Sequence, residues 1–255
     1  TAESDLRLHA SIKTTSWKTY SYFIDSADCF LFLQKGSKAG LKDATYWAPM
    51  LKGFDQKCEV GAIIKGTVAD AKCSFLEVKT GDTYIKGKGY VKGLPDMEKT
   101  VFDVQLDELR SSSEDFNKIE FGQMLANVKL PELLHSLGQI NAKAEFKGLL
   151  HNFEAIGEFS TQLGNINLKG SSNRENPQEN ITYQANIESP NFNIGKFLGV
   201  DILGDGKLHV DAKAKVGDLK DLKCELIAAV ENFNINRNRY NTIEIEGEMQ
   251  EGVVN

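Results

Sequence analysis

The sequence has little of what marks several large classes of protein. Its four cysteines (Cys29, Cys58, Cys73 and Cys224) form no CxxC pair and are too sparse in 255 residues for a disulfide scaffold. The longest apolar run, Cys29–Leu33, is far below the roughly 20 residues that a membrane-spanning helix needs. The first residues also lack the basic-then-apolar pattern of a secretion signal. Neither a disulfide-stabilised domain nor a helical membrane protein is indicated.

Charge and histidine content argue against two further classes. The net charge is -6, and charges of both signs are spread along the chain, so there is no basic footprint for nucleic acid. The four histidines, His9, His135, His151 and His209, show no paired spacing. No HExxH, GxSxG or Cys/His cluster is present to hold a metal or to place a nucleophile. The sequence therefore predicts no catalytic residues, no cofactor, no metal site and no nucleic-acid partner.

What the chain does contain is alternation of apolar and polar residues with a period of two. In the stretch Ile140–Phe146 every second residue is apolar, whereas Asn141, Lys143 and Glu145 lie between them. This pattern is typical of strands with one buried and one solvated face. Short turns containing Gly and Asn separate the strands, which favours successive hairpins. We predict an all-β fold, a long antiparallel meander with a polar outer face, an apolar inner face and a few short helices.

The apolar positions of these strands are the candidate functional residues. Many of them are small, so we expect space at mid-strand and a curved sheet that leaves an apolar groove; a filled sandwich, a barrel, or a core packed against the short helices are the alternatives. The candidate lining residues, assigned from strand parity, are Val60, Ala62, Ile64, Phe102, Val104, Leu106, Ile140, Ala142, Ala144, Phe146, Ala155, Phe159, Tyr183, Ala185, Leu208, Val210, Ala212, Ala214, Leu226, Ala228, Ile243 and Ile245.

Three segments interrupt the alternation and predict short helices: Asp43–Phe54, Leu130–Leu137 and Asn193–Leu198. Each is followed by a long strand that ends in glycine, which indicates a loose structural repeat. We predict one continuous β segment over residues 1–255. Its approximate units are 1–42 (partial), 43–127, 128–192 and 193–255.

Two stretches resemble a known family. Residues 43–53 (DATYWAPMLKG), followed by an alternating strand, resemble the helix-then-strand unit of TamB-like proteins of the Bacteroidetes lineage. Gly93–Leu106 (GLPDMEKTVFDVQL) is similar to a segment that those proteins carry between two strands. The similarity runs, with gaps, through most of the chain. The sequence therefore resembles an interior fragment of the TamB branch of the AsmA-like family.

The resemblance implies a taco-like, half-pipe β-groove of degenerate repeats in the periplasm. An inner-membrane anchor would lie outside this fragment, and membrane contact would be made through regions outside it. Members of the family are linked to phospholipid transport between the two membranes and to outer-membrane protein assembly and secretion. The implied partners are phospholipid acyl chains and an outer-membrane barrel protein of the BamA/TamA type.

Two other functions remain open at this level. A sheet edge can pair with an unfolded outer-membrane strand, which would make the chain a chaperone-like module acting by β-augmentation. An extracellular adhesive or carbohydrate-binding β domain is a third interpretation, which the presence of only two tryptophans disfavours. Lys86, Lys88 and Lys92 alternate with apolar residues; a solvated strand face is the simpler interpretation, and a stripe for lipid headgroups is the alternative.

Overall fold

The structure, a computed structural model, is almost entirely β-structure in the residues that it describes, which are 4–14, 22–40, 57–113, 136–174, 180–216, 223–236, 238–250 and 253–254. Two short helices accompany the strands, α1 (Phe23–Ser26) and α2 (Ile194–Leu198). The strands are β1 (Leu8–Lys13), β2 (Asp28–Gly40), β3 (Lys57–Gly66), β4 (Asp70–Thr80), β5 (Thr83–Lys92), β6 (Val101–Ser112), β7 (Gln139–Leu149), β8 (Asn152–Thr161), β9 (Gly164–Asn173), β10 (Ile181–Asn193), β11 (Asp205–Val216), β12 (Lys223–Ile235), β13 (Asn238–Gln250) and β14 (Val253–Val254).

The order of the strands in the sheet is their order in the chain. Every pair whose register is described is antiparallel. The predicted all-β class and antiparallel meander are therefore confirmed. Contacts divide the chain into two compact units, Thr1–Asn141 and Ala142–Asn255. The predicted subdivision into repeats stays a prediction.

One of the three predicted helices lies within the described residues and is confirmed. Helix α2 follows Asn193, whose side chain accepts a hydrogen bond from the backbone N–H of Lys196 at 2.8 Å and so caps the first turn. Gly199 ends the helix in the left-handed conformation, with φ of 68°. The predicted helix at Asp43–Phe54 lies outside the described residues, as does Leu130–Leu137 except for its last two residues. Helix α1 was not predicted, because four residues carry no helical periodicity.

The deepest packing in the second unit lies where strands end. Phe192 and Phe233 are only 3% and 5% exposed. The ring of Phe197, from α2, meets that of Phe192 edge-on at 5.4 Å, and Tyr240 stacks on Phe233 at 5.6 Å. Helix α2 therefore fills the space at the strand ends rather than at mid-strand.

Bulges interrupt the register repeatedly in the first unit. The pairing shifts between Ile63 and Ile64 in β3, where Ser74 is the extra residue of β4, and again between Lys86 and Gly87 in β5. At the second shift the strands approach so closely that a Cβ on Gly87 would lie 2.5 Å from the carbonyl oxygen of Gln105. Bulges locally increase twist and bend the strand that carries them. Glycine is required at Gly87 by this close backbone approach.

The substitution Gly87→Ala is expected to lower the free energy of unfolding by about 1–3 kcal/mol, because the new methyl group has no room beside β6. Gly247→Ala is the matched control, since a Cβ at this strand glycine would meet nothing within 4 Å. We expect the control to change the free energy of unfolding by less than about 0.5 kcal/mol. Urea unfolding followed by circular dichroism measures both. Equal losses in the two variants would contradict the close approach of β5 and β6.

Candidate functional site

In the first unit, cross-strand pairing gathers the predicted lining residues on one face. Residues paired directly in antiparallel strands point to the same side of a sheet, so successive pairs form rows that cross the strands. Four such rows run from β2 to β6, and they contain all six predicted lining residues from Val60 to Leu106. The rows are Ser37, Val60, Val78, Ile85 and Leu109; Leu33, Ala62, Leu76, Gly87 and Leu106; Leu31, Ile64, Cys73, Gly89 and Val104; and Cys29, Gly66, Ala71, Val91 and Phe102.

The second unit repeats this arrangement. The residues Ala142, Ala144 and Phe146 alternate along one face of β7, as does Ile140 in the part of β7 that belongs to the first unit, and the Phe146 ring lies 4.8 Å from that of Phe153 on β8. Phe159 pairs with Ile166 on the same side of β8 and β9. The rows are Phe153, Ser172, Tyr183 and Ala214; Ala155, Gly170, Ala185, Ala212, Leu226 and Gly247; Gly157, Leu168, Ile187, Val210, Ala228 and Ile245; and Ser189, Leu208, Val230 and Ile243.

We call the face that carries these rows the inner face of each unit. Sequence parity missed several of its members, among them Leu31, Leu33 and Leu109. In the continuous apolar run Cys29–Leu33 alternation cannot say which side is which, and Leu109 follows a bulge at Asp107 that resets the parity. Pairing within the run, such as Leu33 with Ala62, supplies the assignment.

Most of the inner face is only half-buried. Leu226, Ile243 and Ile245 retain 39%, 37% and 55% of their exposure, and Val104 on the first unit retains 39%. Only Ala62 and Ala142 among the predicted lining residues are fully buried. Because exposed apolar surface is contiguous here rather than scattered, it is typical of a binding surface. The two described helices do not supply a cover: α2 packs at the strand ends, and α1 joins the sheet through a hydrogen bond from the Ala69 N–H to the Ile24 carbonyl at 3.0 Å.

The opposite, outer face of the second unit is polar, as predicted. The Asn186 amide and His209 hydrogen-bond the Asp211 carboxylate at 2.9 and 2.8 Å, and Lys207 pairs with Glu231 at 3.0 Å. The hydrogen bond from Asn186, followed by that with His209, lowers the pKa of Asp211 from its usual value. Apolar side chains interrupt this surface at Ile156 and Ile227, each 51% exposed.

The outer face of the first unit departs from the predicted polar surface. Phe32 pairs with Ile63, and Ile63 pairs with Phe75, so an apolar row crosses β2 to β4 on the side opposite the lining, with His9 of β1 beside Phe32. The physical reason is again the run Cys29–Leu33, which supplies apolar side chains to both faces of β2. We call Phe30, Phe32, Ile63 and Phe75 the outer aromatic patch.

Basic side chains lie on and around the outer aromatic patch. The Lys35 ammonium is 4.7 Å from the centre of the Phe75 ring, and that of Lys65 is 5.4 Å from the centre of Phe30. Lys35 also pairs with Glu77 at 2.8 Å, and this hydrogen bond lowers the pKa of the Glu77 carboxyl. In such cation–π contacts the ammonium group itself lies over the face of the aromatic ring.

Groups able to carry chemistry are sparse. No cluster of three or more His, Cys, Asp or Glu side chains suited to a metal ion occurs in the described part of the chain. Cys29, Cys58 and Cys73 are free thiols, and burial raises the pKa of Cys58 and Cys73. Within the described residues, none of the helices has the length and apolar character needed to cross a membrane.

Comparison of the chain with protein-family models, with curated proteins and with solved structures found no match in any of the three. The resemblance to TamB-like proteins therefore stays an expectation from the sequence. The function has to be argued from the two faces of the sheet.

A charged side chain is expected to be tolerated on the half-exposed part of the inner face. Ile245→Lys and Leu226→Lys should lower the free energy of unfolding by less than about 1 kcal/mol, because both side chains already meet solvent. Phe233→Ala, at a buried position, should cost about 3–5 kcal/mol. The measurement is urea unfolding, together with binding of an apolar fluorescent dye to the native protein, which the lysine variants should reduce. A loss above about 3 kcal/mol in Ile245→Lys would mean that the inner face is a covered core.

Proposed function

We propose that this chain is a segment of a cell-envelope protein whose inner face shelters phospholipid acyl chains in a β-groove during their transfer between membranes. It acts as a conduit and performs no reaction. In this proposal the intact protein is anchored in the inner membrane, spans the periplasm and also supports outer-membrane protein assembly and secretion, as the resemblance to TamB-like proteins implies. A barrel protein of the BamA/TamA type is the proposed outer-membrane partner.

The observation that carries the proposal is the set of half-exposed apolar rows. Burying each methylene of an acyl chain against apolar side chains is worth about 0.8 kcal/mol. The conduit therefore lowers the cost of carrying a lipid through water by providing a continuous apolar surface. The headgroup, which is attached to the end of the acyl chain, stays in solvent at the open side of the groove.

The dimensions of one row suit an acyl chain. The row from Ala155 to Gly247 crosses six neighbouring strands. At a strand spacing of about 4.8 Å this row is roughly 24 Å long. One leaflet of a bilayer has an acyl region of about 15 Å, half of the hydrocarbon thickness. An extended chain therefore fits along the row without leaving it.

Side-chain size also distinguishes this row from its neighbours. Five of its six residues are Gly or Ala, and only Leu226 is larger. The row on one side carries Phe153 and Tyr183, and the row on the other carries Leu168, Ile187 and Ile245. From this alternation of size we infer a shallow channel along the row, which is the shape that a single acyl chain would occupy.

We expect photo-crosslinking in cells to capture lipids at the inner face. A photoreactive amino acid at Ala144 or Ala212 should give lipid adducts, because both side chains belong to the inner face. The matched controls are the adjacent residues of the same strands, Lys143 before Ala144 and Lys213 after Ala212, whose side chains point to the outer face. Mass spectrometry of the purified adducts identifies what was captured.

Each outcome of this experiment has a defined meaning. Lipid adducts at the alanine positions and none at the lysine positions support the conduit. Equal labelling of both faces, or no lipid at Ala144 and Ala212, would reject it. Peptide adducts in place of lipid would favour the chaperone-like alternative.

A further inference from the structure

We propose that the outer face of the first unit docks on an anionic lipid surface, with Lys65, Lys72 and Lys88 contacting the phosphates and the outer aromatic patch contacting the interface. This surface lies on the side of the sheet opposite the inner face. The inference therefore goes beyond the acyl-chain conduit and does not depend on it.

The three lysines lie on three adjacent strands of this face. Lys65 on β3 pairs directly with Lys72 on β4, and Lys72 pairs with Tyr90 on β5. Lys88 is two residues before Tyr90, which makes it a diagonal neighbour of Lys72 at roughly 7–8 Å. Like charges in directly opposite positions destabilise a sheet unless something neutralises them.

No carboxylate of the described chain forms an ion pair with Lys65, Lys72 or Lys88. Three other cations of the same face have such partners: Lys35 with Glu77 at 2.8 Å, Lys92 with Asp70 at 3.7 Å and Arg110 with Glu108 at 2.9 Å. Within the described residues, Lys65, Lys72 and Lys88 therefore carry positive charge that no direct ion pair neutralises, in a chain whose net charge is -6. An anion from outside the chain is the complementary partner.

Two of the three lysines, Lys72 and Lys88, border a shallow depression of about 600 Å³ between β4, β5 and β6. Its polar lining is Lys72, Ser74, Lys88, Tyr90, Asp103 and Gln105. Asp103 contributes one negative charge against two lysines, so the depression keeps a positive balance. Two ammonium groups on either side of such a depression suit a phosphate, whose oxygens accept hydrogen bonds from both.

The outer aromatic patch decides which source of phosphate fits. Phe32 is 41% exposed and continues into Ile63 and Phe75 in one row, and Lys65 lies over Phe30. A free phosphate makes no use of an apolar row. A bilayer surface contacts both the apolar row and the lysines, because aromatic side chains favour the membrane interface and lysines favour anionic headgroups. The combination on one face points to anionic phospholipid.

The test is co-sedimentation of the full 255-residue chain with vesicles of phosphatidylcholine, with and without phosphatidylglycerol. The variant carries Lys65→Gln, Lys72→Gln and Lys88→Gln. The control carries Lys92→Gln, Lys99→Gln and Lys207→Gln, which remove the same charge from lysines paired with Asp70, Asp96 and Glu231. We expect binding to the phosphatidylglycerol vesicles to weaken roughly fivefold for each unpaired lysine removed, about 100-fold for all three.

The control should bind the vesicles nearly as tightly as the unmodified chain does. Added salt should weaken the binding of the control and of the unmodified chain.

Several results would overturn the proposal. These are equal binding to vesicles without phosphatidylglycerol, equal loss in the control, or no vesicle binding at all. Displacement of the chain by inorganic phosphate at constant ionic strength would identify a free anion as the ligand. Lysine-dependent self-association without vesicle binding would identify a second copy of the chain. If circular dichroism shows that the triple variant has not folded, the three single variants test the proposal instead, and each should bind the phosphatidylglycerol vesicles about fivefold more weakly.

Discussion

Direct pairing of antiparallel strands is the constraint on which the rest of the structure depends. Because paired residues point to the same side, a period of two along each strand becomes a set of rows across many strands. The row from Ala155 to Gly247 takes one residue from each of six strands, so its members are far apart in the chain and are brought together only by strand pairing. A slip of one residue in any pair would move apolar side chains to the other face. Register, rather than strand formation, therefore creates the candidate site.

The sequence was sufficient for the fold class and for placing the parity-assigned residues on one face, because alternation survives wherever a strand has one polar side. It was insufficient at two kinds of position. Bulges, as at Asp107, exchange the faces to which successive residues of a strand point, and no local residue pattern indicated where they occur. The run Cys29–Leu33 hid both the inner leucines and the outer aromatic patch, since a strand that is apolar on both faces has no alternation to interpret. Pairing with β3 resolves both.

The two faces use different physical chemistry to meet the solvent. On the inner face, Leu, Ile and Val side chains are half-exposed over a contiguous area. Contact of this apolar surface with water is unfavourable, which favours the binding of an apolar ligand. On the outer face, lysines either pair with carboxylates, as Lys207 does with Glu231, or form no ion pair within the described residues, as is the case for Lys72. Hydrophobic contact is largely insensitive to salt, whereas contact through unpaired lysines is weakened by it. Ligand binding at one face can therefore be changed, by salt or by substitution, without changing binding at the other.

The rows run along the direction of the backbone hydrogen bonds, so their length is counted in strands and not in residues per strand. Inserting one hairpin would lengthen every row by two strand spacings, roughly 10 Å, and would leave the width of the apolar surface unchanged. Lengthening a strand would do the opposite. Reach and width are thus separate variables in a meander of this kind, and a change in the number of hairpins is all that is needed to match the distance to be spanned.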